Sequence, residues 1–246
     1  MKVYDWSSVD VVVLEADGEV SDGNGYGAAI VKRLEDLNYS PVLIDFKENS
    51  YDLKDVVGKP IIISGGMTEV TSDEMWVQHA RSFVKERILY NQQAERKNKI
   101  PLLGICFGAQ LIAESYEKGS VSYLNTPQMG VSNIKLEDPA HPLFKGYKVQ
   151  FPAYSFHYNQ IKIQDANIIS SHHMEGEEFV QAFEIDNSHC FGVQFHPELT
   201  YEEYLPLLET YEDLLVKDLG LSMENIRKNL LPIKSNKHIL KNFLEI

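Results

Sequence analysis

The stretch PLLGICFGAQLIAE, Pro101 to Glu114, joins an apolar run to an apolar helical pattern through a cysteine set between glycines. The run Ile100–Ile105 reads as a buried strand, and the helix begins near Phe107. Gly104-Ile-Cys106-Phe-Gly108 has the form of a nucleophile elbow with cysteine in place of serine. Small residues two positions either side let strand and helix approach closely, and the sharp turn exposes the central side chain. A thiol at a helix N-terminus feels the positive end of the macrodipole, which favours thiolate. The N–H of Phe107 would be free to bind an oxyanion. The competing reading, a small buried apolar cysteine, accounts less well for the paired glycines and the strand–helix context.

Outward from this elbow, Val9–Leu14, Pro41–Phe46 and Pro60–Ser64 also read as buried strands. Helical patterns separate them near Ala28–Leu37 and Asp73–Lys97. Such alternation predicts an α/β fold, a mostly parallel sheet flanked by helices on both faces. Gly130–Leu136, Ala166–Ser171, Phe179–Ile185 and Cys190–Phe195 are strand-like with short links, predicting antiparallel additions to that sheet, and Tyr201–Asp218 reads as a helix. The expected organisation is one domain over residues 1–220 with an extension over 221–246. That extension holds five Lys or Arg against two Glu, whereas residues 1–220 hold 18 against 34. Pro232 divides it into two short helical pieces, and Ile239, Leu240, Phe243 and Leu244 form an apolar stripe. Two readings stand: a helix folded back on its own acidic domain, or a contact for a partner.

The chain has 246 residues, 43% of them hydrophobic, and a formal net charge of −13. This acidic balance argues against a nucleic-acid partner. No apolar run approaches the roughly 20 residues that span a bilayer, and the N-terminus lacks a secretory h-region, so the expectation is a cytoplasmic protein. Two cysteines make no disulfide framework. They stand 84 residues apart, and the histidines show no ligand spacing, so neither a metal nor a cofactor is expected. The run DGNGYG, Asp22 to Gly27, mimics a dinucleotide fingerprint, but its glycines give G-x-G-x-G rather than G-x-G-x-x-G. It reads as a connecting loop.

A nucleophile needs a base, and the base an orienter. GVQFHPEL places His196-Pro197-Glu198 after an apolar strand. Pro197 keeps His196 extended, and residues two apart in an extended segment point to the same side. Glu198 then accepts from one nitrogen of His196 and leaves the other facing the thiol, the logic of a triad. His172 and His173 are adjacent and diverge, His79 and His238 lie on solvated helices, and Cys190 reads as core. Ser64-Gly65-Gly66, directly after a strand, is either an ordinary tight turn or a place where backbone N–H groups approach a ligand.

These residues resemble the class I, triad-type glutamine amidotransferases, and most of all standalone domains similar to the glutaminase part of GMP synthase. The resemblance covers about Ile61 to Thr200 and rests on ISGG, PLLGICFGAQLIA, QMGVSNIKL, YSFHYNQI, and QAF followed by GVQFHPELT. It implies a flavodoxin-like sheet and hydrolysis of the glutamine side-chain amide. By resemblance, Cys106 attacks the carboxamide carbon, His196 moves the proton and Glu198 holds His196. Gly66 and Phe107 match the oxyanion-hole positions. Gly65 and Gln110 match substrate-side positions, and Tyr158 and Asn159 match backbone positions that grip the amino-acid end. The chain departs from the pattern at Met67, where proline often stands, at Gln128, which replaces a common glutamate, and at His157–Asn159, where His-Gly-Asp is frequent.

The expected activity is a glutaminase that passes ammonia to a separate synthetase. The runner-up is a standalone hydrolase of γ-glutamyl amides or peptides, sharing the chemistry but releasing another amine. A non-catalytic binding component on the same fold is the third reading, and the presence of Cys106, His196 and Glu198 together argues against it.

Overall fold

The computed structural model describes residues 5–16, 25–49 and 58–246. Most of the glycine loop, Asp22 to Asn24, lies outside the described residues. Its last part does not: Gly25 is the N-terminal cap of the first helix.

Five strands form the parallel part of the sheet: β1 (Val11–Glu15), β2 (Pro41–Asp45), β3 (Ile61–Ile63), β4 (Leu102–Ile105) and β9 (Cys190–Val193). Four more add to it: β5 (Val121–Leu136), β6 (Gln150–Ile161), β7 (Asn167–Met174) and β8 (Glu177–Ile185). Among the described residues they make one sheet in the order β2-β1-β3-β4-β9-β8-β7-β5-β6. The pairs β1–β2, β1–β3, β3–β4 and β4–β9 are parallel, and the remaining pairs are antiparallel. The parallel half is the flavodoxin-like arrangement, with its switch point between β1 and β3, and ligands of such sheets bind outside the carboxyl ends of the strands.

Burial alternates along the central strands as two covered faces require. Val12, Leu14, Ile61, Ile63 and Leu102 face one cluster, closed by Val77, Ala80, Val84 and Ile88 of α3 (Met75–Gln93) and Ile112 of α4 (Phe107–Tyr116). Val11, Val13, Ile62, Leu103 and Ile105 face the other. There they meet Ile30 and Leu34 of α1 (Tyr26–Glu35) and Ile239, Leu240 and Phe243 near the C-terminus.

The remaining helices are α2 (Phe46–Asn49), α5 (Tyr201–Thr210), α6 (Met223–Asn229) and α7 (His238–Leu244). The apolar stripe of the extension is therefore the inner face of α7, and Ile239, Leu240 and Phe243 are fully buried. Pro232 falls in the link between α6 and α7. Lys237 of that segment pairs with Asp36 at 3.5 Å, an exposed contact of little energetic weight.

The fold departs from the sequence pattern at several elements. The pattern predicts Cys190–Phe195 as an antiparallel addition, yet β9 lies parallel to β4 and is antiparallel only to β8. The reason is the tight reversal after β8, with Asn187 and His189 at positive φ of 55° and 51°, which turns β9 into the direction of β4. β6 has no counterpart among the expected strands because Ala153 to His157 are buried without interruption, which erases period-two alternation. The helix expected over Tyr201–Asp218 stops at Thr210 and resumes as a π-helical turn over Leu214–Asp218. α3 ends at Gln93, short of Lys97, because Ala94 turns extended at ψ 148°.

Phe243→Ala removes a fully buried ring from the face that α1 and α7 share. The expected cost is about 3–5 kcal/mol of folding stability, read as a lower urea midpoint with an unchanged transition slope.

Candidate active site

Cys106 sits at the N-terminal cap of α4 with φ 51° and ψ −104°, a conformation that a side-chain-bearing residue holds only under constraint. Its own N–H donates to Val193 O of β9 at 2.8 Å. The flanking glycines make the turn possible. A Cβ on Gly104 would lie 2.2 Å from the Gly108 backbone, and one on Gly108 would lie 2.5 Å from Ile63 O. Gly108 N–H instead donates to Ser64 O at 3.2 Å, pinning the elbow to the end of β3. Phe107 is the first helical residue, so its N–H belongs to the set that finds no acceptor within the helix. Its ring stacks on Trp76 of α3, with centroids 5.7 Å apart.

Ser64 fixes the neighbouring loop. Its N–H donates to Leu14 O at 3.0 Å, its hydroxyl accepts from Ala16 N–H at 3.0 Å, and that hydroxyl donates to Gly65 O at 2.8 Å. Gly65 then passes so close to His196 and Tyr26 that a Cβ would lie 3.0 Å from each ring. Gly66 follows, partly exposed, at the carboxyl end of β3.

His196 and Glu198 meet as their spacing predicts, with Nδ1 to Oε1 at 2.7 Å and both side chains fully buried. The segment stays extended because His196 N–H donates to Tyr154 O of β6 at 2.8 Å. Beyond it, the Glu203 carboxylate of α5 accepts from Thr200 N–H at 2.9 Å and from Arg33 of α1 at 3.1 Å. His196 Nε2 has no hydrogen-bond partner among the described residues. Cys106 is buried, not exposed as the elbow pattern predicts, because β6 covers the turn, and its thiol donates to Phe156 O at 3.7 Å. Burial disfavours the charged ring, but the Glu198 carboxylate and the Cys106 sulfur outweigh it. The His196 pKa therefore rises well above its ordinary 6.5.

The other expected positions lie around this centre. Gln110 is buried on α4, and its Nε2 donates to Gln194 Oε1 at 3.1 Å. Tyr158 donates its hydroxyl to Met67 O at 3.1 Å, and Asn159 Nδ2 donates to Glu69 Oε2 at 2.8 Å. His157, between them and Phe156, donates Nδ1–H to Asn159 O at 2.7 Å, while its buried Nε2 has no partner among the described residues. Burial lowers the His157 pKa to about 4.

Tyr26 is a site residue that the sequence does not announce. Its ring stacks on His196 with centroids 5.1 Å apart, and its hydroxyl reaches Met67 Sδ at 3.9 Å. The only signal is its place in GNGYG, which has no spacing that points to a histidine more than a hundred residues away. Phe156 is equally hidden, since it contributes a carbonyl and not a side chain.

With this geometry in view, the comparisons with known proteins converge. A model of the family "Glutamine amidotransferase class-I" matches residues 20–208, and the chain belongs to that family. A subunit of the glutamine-hydrolysing GMP synthase of Methanococcus maripaludis is 30% identical over 187 residues, covering 72% of this chain and 87% of that protein. The glutamine-hydrolysing GMP synthase of Thermosipho melanesiensis is 26% identical over 196 residues, and the chain spans only 35% of its length. Among solved structures, a glutamine amidotransferase from Thermotoga maritima superposes with a TM-score of 0.72 at 19% identity, covering 97% of each chain. A GMP synthase subunit protein from Thermoplasma acidophilum gives 0.58 at 19% identity, covering 84% of this chain and 98% of that one. At such identities the structures report the shared fold.

The two buried rings should titrate in opposite directions. Nitrogen-detected NMR is expected to show His157 neutral down to about pH 4 and His196 protonated well above 6.5. His157 has its folded pKa below the unfolded value, so its contribution to stability is present above pH 6.5 and is lost as pH falls through 4. His196 has the reverse sign: its contribution is full below 6.5 and is lost as pH rises through its folded value. Two rings titrating together near 6.5 would refute this assignment.

Proposed function

We propose that this chain hydrolyses the side-chain amide of glutamine through a γ-glutamyl thioester on Cys106 and supplies the ammonia to a separate synthetase. The observation that carries this reading is the elbow itself: a cysteine at φ 51° together with a buried His196–Glu198 pair whose second ring nitrogen has no hydrogen-bond partner among the described residues. The relatives support the same reading, since those named above are glutamine-hydrolysing GMP synthases and one is a subunit of comparable length.

In this mechanism the proton shared by Cys106 and His196 rests on Nε2, and the Sγ thiolate forms a bond to the carboxamide carbon as the carbonyl π bond opens. The carbonyl oxygen becomes an oxyanion facing the N–H groups of Gly66 and Phe107. Collapse breaks the C–N bond, and the proton on Nε2 goes to the departing nitrogen, which leaves as ammonia. Water then gives a proton to Nε2 and attacks the thioester carbon, and glutamate leaves as the C–S bond breaks, restoring the Sγ thiolate beside the protonated ring. Glu198 steadies the imidazolium at each stage. Gly65, Gln110, Tyr158 and Asn159 line the substrate side. We assign residues 1–220 to the amidotransferase unit and 221–246 to an extension whose last helix packs on it.

A second reading is a standalone γ-glutamyl amide hydrolase. What favours it is Gln128, Tyr158 and Asn159, which stand where the resemblance implied glutamate, glycine and aspartate; Gln128 is buried opposite His157 across β5 and β6.

Cys106→Ser is expected to lower glutamine hydrolysis by about 10^4-fold or more, and His196→Ala by about 10^2- to 10^4-fold. A glutamine-mimicking electrophile should add its mass to Cys106 alone, as read by peptide mass spectrometry. Adding the synthetase with its substrate should raise the wild-type rate. Vigorous turnover of other γ-glutamyl amides, with glutamine a poor substrate, would select the second reading. Failure of the electrophile to label Cys106 would refute both.

A further inference from the structure

Glu69 stands three residues past Gly66, on the loop that leaves the candidate oxyanion position. Its carboxylate is half-buried and held only by neutral groups. Asn159 Nδ2 donates to Oε2 at 2.8 Å. Two phenols crowd it: Tyr123 and Tyr158 stack with centroids 6.2 Å apart and an interplanar angle of 16°. The Tyr123 hydroxyl is shifted upward chiefly by Glu69, and the Tyr158 hydroxyl by burial and then by Glu69. Cys106 also contributes to the upward shift of Tyr158. Its hydroxyl is anchored on Met67 O, which holds the loop against β6.

What this carboxylate lacks is a cation. Among the described residues, no Lys, Arg or His forms an ion pair with it. The Glu198 carboxylate, by contrast, is already committed to His196. A half-buried carboxylate is costly to leave without a compensating charge. Glutamine carries one cation, the α-ammonium, four covalent bonds from the carboxamide carbon.

We propose that Glu69 is the substrate-binding carboxylate that receives the α-ammonium of the glutamyl substrate, with Asn159 and Tyr158 holding it in position. This rests on the glutamyl-transfer reading above and names the group that selects for it. The site then discriminates by charge. A substrate lacking the α-amine leaves Glu69 desolvated and unpaired, whereas a neutral reagent that reacts with the thiol alone is indifferent to it.

The test compares wild type with Glu69→Gln, which keeps an acceptor for Asn159 but removes the charge. Three reagents are used on the full chain. These are 6-diazo-5-oxo-L-norleucine, which keeps the α-ammonium of glutamine; its counterpart without the α-amine; and iodoacetamide. Labelling of Cys106 is followed by mass spectrometry. Glu69→Gln is expected to slow labelling by the ammonium-bearing reagent roughly 10- to 100-fold, through weaker binding. Iodoacetamide should react within about twofold of wild type, which reports an intact, folded elbow. The preference for the ammonium-bearing reagent over its counterpart should fall toward unity. Equal slowing with both reagents, or none with either, would overturn the role of Glu69. Wild-type Cys106 that reacts with iodoacetamide but with neither glutamine analogue would overturn the glutamyl reading itself, and Glu69 with it.

Discussion

The arrangement at the carboxyl end of the sheet depends on two missing side chains. Gly104 and Gly108 approach so closely that a Cβ on the first would overlap the backbone of the second, and Gly108 in turn presses on Ile63. This contact sets the distance between β4 and α4 and forces the chain to turn sharply at Cys106. A non-glycine residue at positive φ costs on the order of 1–3 kcal/mol. The conformation is held by hydrogen bonds from both sides, Cys106 N–H to β9 and Gly108 N–H to the end of β3. The strain is local, and the sheet bears it.

The same sheet imports the charge. His196 and Glu198 are fully buried, and burial alone would keep the histidine neutral. Glu198 reverses that, so the ring favours the protonated form in a setting that strengthens every nearby electrostatic interaction. Removing one member of such a pair leaves the other charged and desolvated, which is why buried pairs are strongly destabilised by single substitutions. Their position is determined from several elements at once. β6 grips the His196 backbone, Tyr26 of α1 covers the ring, and Arg33 of the same helix ties down the start of α5. Tyr204 of α5 completes the frame, donating to Ser155 O at 2.6 Å and accepting from Gly130 N–H at 2.6 Å.

The C-terminal extension belongs to this frame by packing. Its last helix closes the face of the sheet opposite α3 and α4, alongside α1, the helix that carries Tyr26 and Arg33. Asn242 donates to Leu143 O at 2.9 Å and Lys145 O at 3.0 Å, which joins α7 to the turn before β6. The basic balance of this segment is thereby set against an otherwise acidic chain, while burial of its apolar stripe supplies most of the stabilisation.

Local chemistry in the sequence was enough to determine the elbow and the His196–Glu198 pairing. Glycine spacing, helix onset and the two-residue repeat of an extended segment all act within a few residues. Four of the five parallel strands, β1 to β4, were legible for the same reason, since they are short, largely apolar runs. Tertiary structure alone decided the rest. β6 has no alternation because both its faces are covered, and β9 takes its direction from a turn whose consequence shows only across the sheet. Tyr26 meets His196, and Glu69 meets Asn159, through contacts between segments distant in the chain. Burial, which shifts His157 and His196 in opposite directions, depends on which neighbour each ring finds when the strands assemble, a pairing that no local pattern encodes.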